Sequence, residues 1–264
     1  MTVAEGYEKT SELELDDARF DQPPLVPGKS LRPYVICTTP RSGSWLLCRQ
    51  LLNARIGVPS EYFNIAHANA LCARWNADPR DTRVYLKALK ANRTTPNGAW
   101  GAKLLWWQYA NRRAALRTEL LGHSRLIFLI RDDIAAQAVS QHLSHLTGVW
   151  DFTGALASVP RTDITWGDLG HLAACEREIR DQNRWWRELF ASRRHEPLTI
   201  RYEDLVSDQP GIVARIAQNL GIPPSDFRIP PPEPREVSFP SEIESRRREL
   251  IGVWRKARES NAQA

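Results

Sequence analysis

A short apolar run, Tyr34-Val35-Ile36-Cys37, passes through a small polar segment, Thr38-Thr39-Pro40-Arg41-Ser42-Gly43-Ser44, into a run with helical spacing, Trp45-Leu46-Leu47-Cys48-Arg49-Gln50-Leu51-Leu52. Strand, tight loop and helix in that order point to an α/β fold with an anion site at the joint. Gly43 lets the backbone come close to a ligand, the first N–H groups of the helix have no intrahelical partner, and Arg41 adds a fixed positive charge. A phosphate suits such a joint. The same residues also read as a plain strand-to-helix turn with Ser44 as the helix cap, and the segment alone leaves both readings open. It is not a Walker A loop, which needs G-x-x-x-x-G-K-[ST], so ordinary kinase or GTPase chemistry is disfavoured.

With 264 residues, 42% of them hydrophobic, the chain can bury the core of one sizeable domain. No apolar run approaches the roughly 18 residues of a membrane span, and Met1-Thr2-Val3-Ala4-Glu5 lacks the basic-then-apolar order of a signal peptide, so a cytoplasmic protein is expected. Cys37, Cys48, Cys72 and Cys175 form no C-x-x-C pair, which indicates neither a zinc site nor a disulfide framework. The net charge of +5 hides an uneven distribution: Glu5, Glu8, Glu12, Glu14, Asp16, Asp17 and Asp21 against Lys9 and Arg19 leave the rest of the chain at +10. A basic body suits an anionic small molecule or a nucleic acid.

Residues 1–32 read as an acidic tail ending in a proline-rich linker, with the folded domain spanning 33–260. Beyond the first strand and helix, strands are predicted at Ala99–Leu105, Arg125–Ile130 and Pro197–Tyr202. Helices are predicted over 81–93, 109–121, 133–146, 206–220 and 243–258, with a further helical pattern through Leu169, Leu172, Ile179, Trp186 and Leu189. Strands separated by helical lengths imply right-handed βαβ units, hence a central parallel sheet flanked by helices in a three-layer sandwich. The ligand is then expected outside the carboxyl ends of the strands.

Three segments taken together resemble a known family: Thr39-Pro40-Arg41-Ser42-Gly43-Ser44, then Arg131 with Ala136-Gln137-Ala138-Val139-Ser140, then Arg201-Tyr202-Glu203-Asp204-Leu205. They are similar to the PAPS-dependent sulfotransferases, and more narrowly to the bacterial trehalose 2-sulfotransferase family, where segments like Glu61-Tyr62-Phe63 and Gly101-Ala102-Lys103-Leu104 recur. The resemblance covers roughly residues 33–222. It implies a P-loop-like sulfotransferase fold, PAPS as sulfuryl donor without a metal, a sugar or glycosylated acceptor, and a homodimer.

By the same resemblance, Arg41, Ser42, Gly43, Ser44 and Trp45 face the 5′-phosphosulfate, and Arg131 and Ser140 hold the 3′-phosphate. Glu61 is the general base, Arg41 stabilises the leaving phosphate, and Glu61, Tyr62, Phe63 and Lys103 meet the acceptor. The chain departs from the family pattern at two points. Trp45 stands where a hydroxyl residue is usual, and the interval from Arg131 to Ser140 is one residue longer, placing Asp132 at the position counted back from the serine. Arg246, Arg247, Arg248 and Lys256 are alternative phosphate ligands. None of the six histidines falls at a family base position, although His142 and His145 share a helix with Ser140. Two other readings stand beside this one: a P-loop-like nucleotide kinase or phosphotransferase, and a basic nucleic-acid-binding protein without enzyme activity, against which the dispersed charges weigh. A catalytically silent relative is a third.

Overall fold

Alternate residues of the first strand feed two different helical layers. The computed structural model describes residues 18–78, 80–111, 114–150, 160–234 and 241–262. In β1 (Arg32–Thr38), Tyr34 and Ile36 pack with α1 (Ser44–Asn53) and α9 (Gln209–Asn219), while Val35 and Cys37 pack on the opposite face. That second face meets α2 (Ile65–Arg74), α3 (Thr82–Arg93) and α7 (Leu169–Ser192) through Leu71, Leu86, Leu89 and Trp186. A strand apolar on both sides needs cover on both sides, which is the three-layer arrangement.

β2 (Ala99–Leu105), β3 (Arg125–Ile130) and β4 (Leu198–Arg201) complete a parallel sheet in the order β2-β1-β3-β4. The chain leaves β1 toward one side for β2 and returns past β1 to β3. The sheet therefore reverses its winding between β1 and β3, and the crevice outside their carboxyl ends is where α/β proteins bind ligands. α6 (Ile134–Thr147) follows β3 and packs on α7 and on α10 (Ser241–Ala262) through Val139, Leu143, Leu172, Leu250 and Trp254.

The strands at 99–105 and 125–130 form as predicted, and the helix predicted at 81–93 forms as Thr82–Arg93 with Asp81 as its cap. Several boundaries differ for local reasons. The helix predicted over 206–220 is broken at Asp208, whose carboxylate accepts from Gly211 N–H at 2.9 Å and starts α9, leaving α8 (Tyr202–Ser207) as a separate turn. Tyr202, predicted in a strand, opens α8 instead. The run predicted over 109–121 divides into α4 (Trp106–Ala110) and α5 (Ala114–Gly122). α2 carries no strong periodic signal and is fixed by Asn64, whose side chain accepts from Ala66 N–H.

Packing also extends upstream of residue 32. Phe20 is fully buried against Val58, and Asp21 pairs with Arg93 at 3.2 Å and Arg74 at 3.0 Å. Part of the stretch read as tail and linker is therefore seated on the domain, while residues 1–17 of that stretch lie outside the described residues.

Candidate active site

After β1 the chain turns sharply because Arg41 (φ 60) and Gly43 (φ 85) both take the left-handed conformation. Gly43 adopts it without steric cost and serves as N-cap of α1 with no side chain to bond there. Gly43 therefore makes no side-chain cap to the first turn of α1, whose leading N–H groups have no carbonyl of the preceding turn to bond. Ser44 is the first residue of the helix rather than its cap, which removes the interaction on which the plain-turn reading rests.

Side chains from three other elements brace this loop. Thr38 donates to the Leu129 carbonyl at 2.8 Å, so its Oγ1 accepts from Ser42 Oγ at 2.6 Å. Ser42 is fully buried and its hydroxyl is committed inward, leaving only its backbone for a ligand. Gln137 of α6 donates to Thr39 Oγ1 at 2.8 Å and to the Pro40 carbonyl at 2.6 Å, and Trp186 of α7 donates its indole N–H to the Thr38 carbonyl at 3.1 Å.

Arg41, Arg131 and Ser140 converge at the β1–β3 crevice. Arg41 donates from Nε to Ser140 Oγ at 2.9 Å and from its guanidinium to the Trp150 carbonyl. Arg131 donates to the Arg41 carbonyl at 3.4 Å and lies 4.6 Å from the centre of the Tyr202 ring, a cation–π distance. That same ring fills the space beside Gly43, where a Cβ would come within 2.2 Å of Tyr202 Cδ2. The extra residue between Arg131 and Ser140 is absorbed at the rim. Asp132 pairs with Arg201, Asp133 caps α6 and meets Arg255 at 2.7 Å, and Glu203 accepts from both aspartate N–H groups at 3.2 Å. Burial pushes the Asp133 carboxyl up, but the Ala136 N–H and the Arg255 guanidinium outweigh it and hold the group below the usual range. Arg246 lies over Trp166 at 4.1 Å and Arg247 bonds Glu244, so neither is placed at the crevice.

Glu61 is held at the end of β2. Lys103 stands on the same face of β2 as Ala99 and Gly101, the face covered by α1, and its ammonium is 5.7 Å from the Trp45 ring. Lys103 Nζ pairs with Glu61 Oε1 at 2.8 Å, and Gln108 Nε2 donates to Oε2 at 3.0 Å while its own oxygen accepts from Leu105 N–H at 3.0 Å. The Lys103 N–H also donates to the Ser60 carbonyl at 2.8 Å, which ties the loop carrying Glu61 to the end of β2. Both carboxylate oxygens are held, yet each keeps a second lone pair, and 15% of the side chain remains exposed. Tyr62 and Phe63, expected against the acceptor, are instead 0% and 1% exposed in the core. Tyr62 donates to the Val58 carbonyl, and its own carbonyl accepts from Tyr85 at 2.7 Å. Burial commits these two rings to anchoring the Glu61 loop.

His142 and His145 face α7 rather than the loop at Arg41. His142 Nδ1 lies 2.8 Å from His171 Nδ1, and Cys175 Sγ lies 3.6 Å from His171 Nδ1 and 4.0 Å from His145 Nδ1. Burial lowers His145 to about 4, with His171, Arg161 and His142 adding repulsion, and it also lowers His142 and His171. Desolvation raises the Cys175 thiol to about 12.

The fold thus brings Arg41, Arg131 and Ser140 together beside the Gly43 turn, and sets Lys103 between Glu61 and the Trp45 ring. Tyr202 and Gln137 sat inside the segments that carried the resemblance but had no assigned role. Gln108 carried no signal and Trp186 was legible only as part of a helical pattern, since nothing in a sequence tells where one amide or indole N–H will point.

Residues 33–242 match the family model described as Stf0 sulphotransferase. The chain is 27% identical over 234 residues to a protein named trehalose 2-sulfotransferase from Mycobacterium tuberculosis (strain ATCC 35801 / TMC 107 / Erdman), covering 74% of this chain and 86% of that protein. A protein of the same name from Mycolicibacterium smegmatis (strain ATCC 700084 / mc(2)155) is 24% identical over 229 residues, covering 72% and 85%. A crystal structure of a sulfotransferase from Alicyclobacillus acidocaldarius superposes with a TM-score of 0.49 at 14% identity, covering 85% of this chain and 99% of that one.

Proposed function

This chain belongs to the Stf0 sulphotransferase family, and from that premise we propose that it moves a sulfuryl group from PAPS to a hydroxyl of a sugar or sugar-bearing small molecule. The convergence of Arg41, Arg131 and Ser140 on one crevice carries the reading. A donor with phosphates at both ends of one ribose needs two cationic contacts a short distance apart, and charge-assisted arginine bonds are the strongest available. The amides of the Gly43 turn and Arg41 would take the 5′-phosphosulfate. Arg131, seated on Tyr202, and Ser140 would take the 3′-phosphate.

Glu61 is the general base of this proposal. It removes the acceptor proton as the new S–O bond forms, while Arg41 and the loop N–H groups stabilise the negative charge left on the phosphate oxygen when the old bond breaks. Lys103 and Gln108 fix the direction of the carboxylate. The two relatives named trehalose 2-sulfotransferase support a sugar acceptor.

Incubating the protein with labelled PAPS and a panel of sugars that includes trehalose tests this reading. Label transferred to a sugar, competed by adenosine 3′,5′-bisphosphate and indifferent to ATP with magnesium, is the expected result. Tight binding of ATP–magnesium without bisphosphate binding would overturn it in favour of phosphoryl transfer.

A further inference from the structure

The absence of C-x-x-C pairs argued against a metal, but helices can assemble ligands that no single segment carries. His142 and His145 are three residues apart on α6, and His171 and Cys175 are four apart on α7, spacings that put each pair on one helix face. The two helices pack together, and the faces meet. Among the described residues, His145, His171 and Cys175 bring three ligand atoms within 4.8 Å of one another.

We propose that His145 Nδ1, His171 Nδ1 and Cys175 Sγ form a binding site for a borderline-soft divalent cation of the zinc class. Tetrahedral zinc, at about 2.3 Å from sulfur and about 2.0 Å from nitrogen, sets sulfur and nitrogen ligands about 3.6 Å apart. The Cys175–His171 separation is 3.6 Å and the Cys175–His145 separation is 4.0 Å, so a small side-chain adjustment brings all three atoms onto the ion. Two imidazoles and a thiolate favour zinc over the hard cations magnesium and calcium.

The surroundings have the features that orient such ligands. His142 donates its Nε2 proton to the Trp166 carbonyl at 3.0 Å, which leaves a lone pair on Nδ1 facing His171 Nδ1 at 2.8 Å. Without metal, His171 therefore holds its proton on Nδ1 and donates it to His142, while Arg161 approaches His171 Nε2 at 3.4 Å. On binding, the His171 proton shifts to Nε2 as the exposed Arg161 swings aside, and the Cys175 thiol releases its proton to solvent. The balance is one cation bound and about one proton released per chain. The fourth position lies open to water or to His142, the positioning residue of the cluster. The site ties α6 to α7 about one and a half turns from Ser140, and the His145 ring packs edge-on against Trp150, whose carbonyl accepts from Arg41. The proposal does not depend on the sulfotransferase chemistry.

Cobalt(II) titration of the chelator-treated full chain tests it, because cobalt replaces zinc and reports ligand type by its spectrum. Tetrahedral visible bands and a near-ultraviolet thiolate-to-cobalt band, saturating at about one equivalent, are expected. Cys175→Ser should abolish the thiolate band, and His145→Gln should weaken binding at least about tenfold, the least that losing even an outer-shell partner of a metal ligand costs. Exposed His123→Ala serves as control and should bind as the wild type does. Zinc should raise the melting temperature of the wild type but not that of a Cys175→Ser, His145→Gln double variant. Absence of cobalt bands in the wild type, survival of the thiolate band in Cys175→Ser, or an equal zinc effect on wild type and double variant would each overturn the assignment.

Discussion

Gly43 leaves no room for a side chain. Its φ of 85 is left-handed, and a Cβ there meets the Tyr202 ring on which Arg131 rests. Gly43→Ala adds about 1–2 kcal/mol of backbone strain and displaces the arginine platform. The expected outcome is binding of adenosine 3′,5′-bisphosphate weakened by about tenfold or more, equivalent to about 1.4 kcal/mol, measured by calorimetry. Unchanged affinity would mean that the platform does not serve the donor. Gly43 and Arg41 were legible as candidates because a small polar loop between strand and helix carries its own chemistry, whereas Arg131 and Ser140 were named only through the family resemblance. Gln108 and Gln137 were not legible, because an amide becomes functional only through the partners that the fold brings to it. Tyr62 and Phe63, named through the family resemblance because they follow Glu61, are buried in the core.

At the scale of elements, the pairing of α6 with α7 makes the metal-free protein sensitive to acid. His145 faces His142 from its own helix and His171, Cys175 and the exposed Arg161 from across the interface, with Asp163 and Asp168 beyond. Its folded pKa of about 4 lies below the ordinary histidine value of 6.5. Between those values the unfolded chain binds more protons than the folded one, so stability falls as pH drops from 6.5 toward 4 and this contribution levels off below. Urea unfolding midpoints in chelator across that window should follow this course. His145→Gln should flatten it, and a slope unaltered by that change would contradict the account. Continuous apolar strands and aspartate caps made most elements legible, whereas α2 and the break at Asp208 depended on single side chains that begin a helix.

For the whole molecule, the sheet order β2-β1-β3-β4 explains why residues as distant as Arg41, Arg131 and Tyr202 meet, since parallel strands deliver their following loops to one edge. The segment before β1 belongs to that body as well. Phe20→Ala should destabilise the protein by about 3–5 kcal/mol, the usual cost of a cavity left by a buried phenylalanine, read from denaturant unfolding. A loss below about 1 kcal/mol would show that this segment merely lies on the surface. The central claim, that Glu61 performs the chemistry while Arg41, Arg131 and Ser140 hold the donor, is tested most directly by Glu61→Gln. The account predicts that kcat for sulfuryl transfer from PAPS falls by about 10²–10⁴, as expected for loss of a general base, while bisphosphate affinity is unchanged. Transfer at the wild-type rate, or a parallel loss of bisphosphate binding, would contradict it.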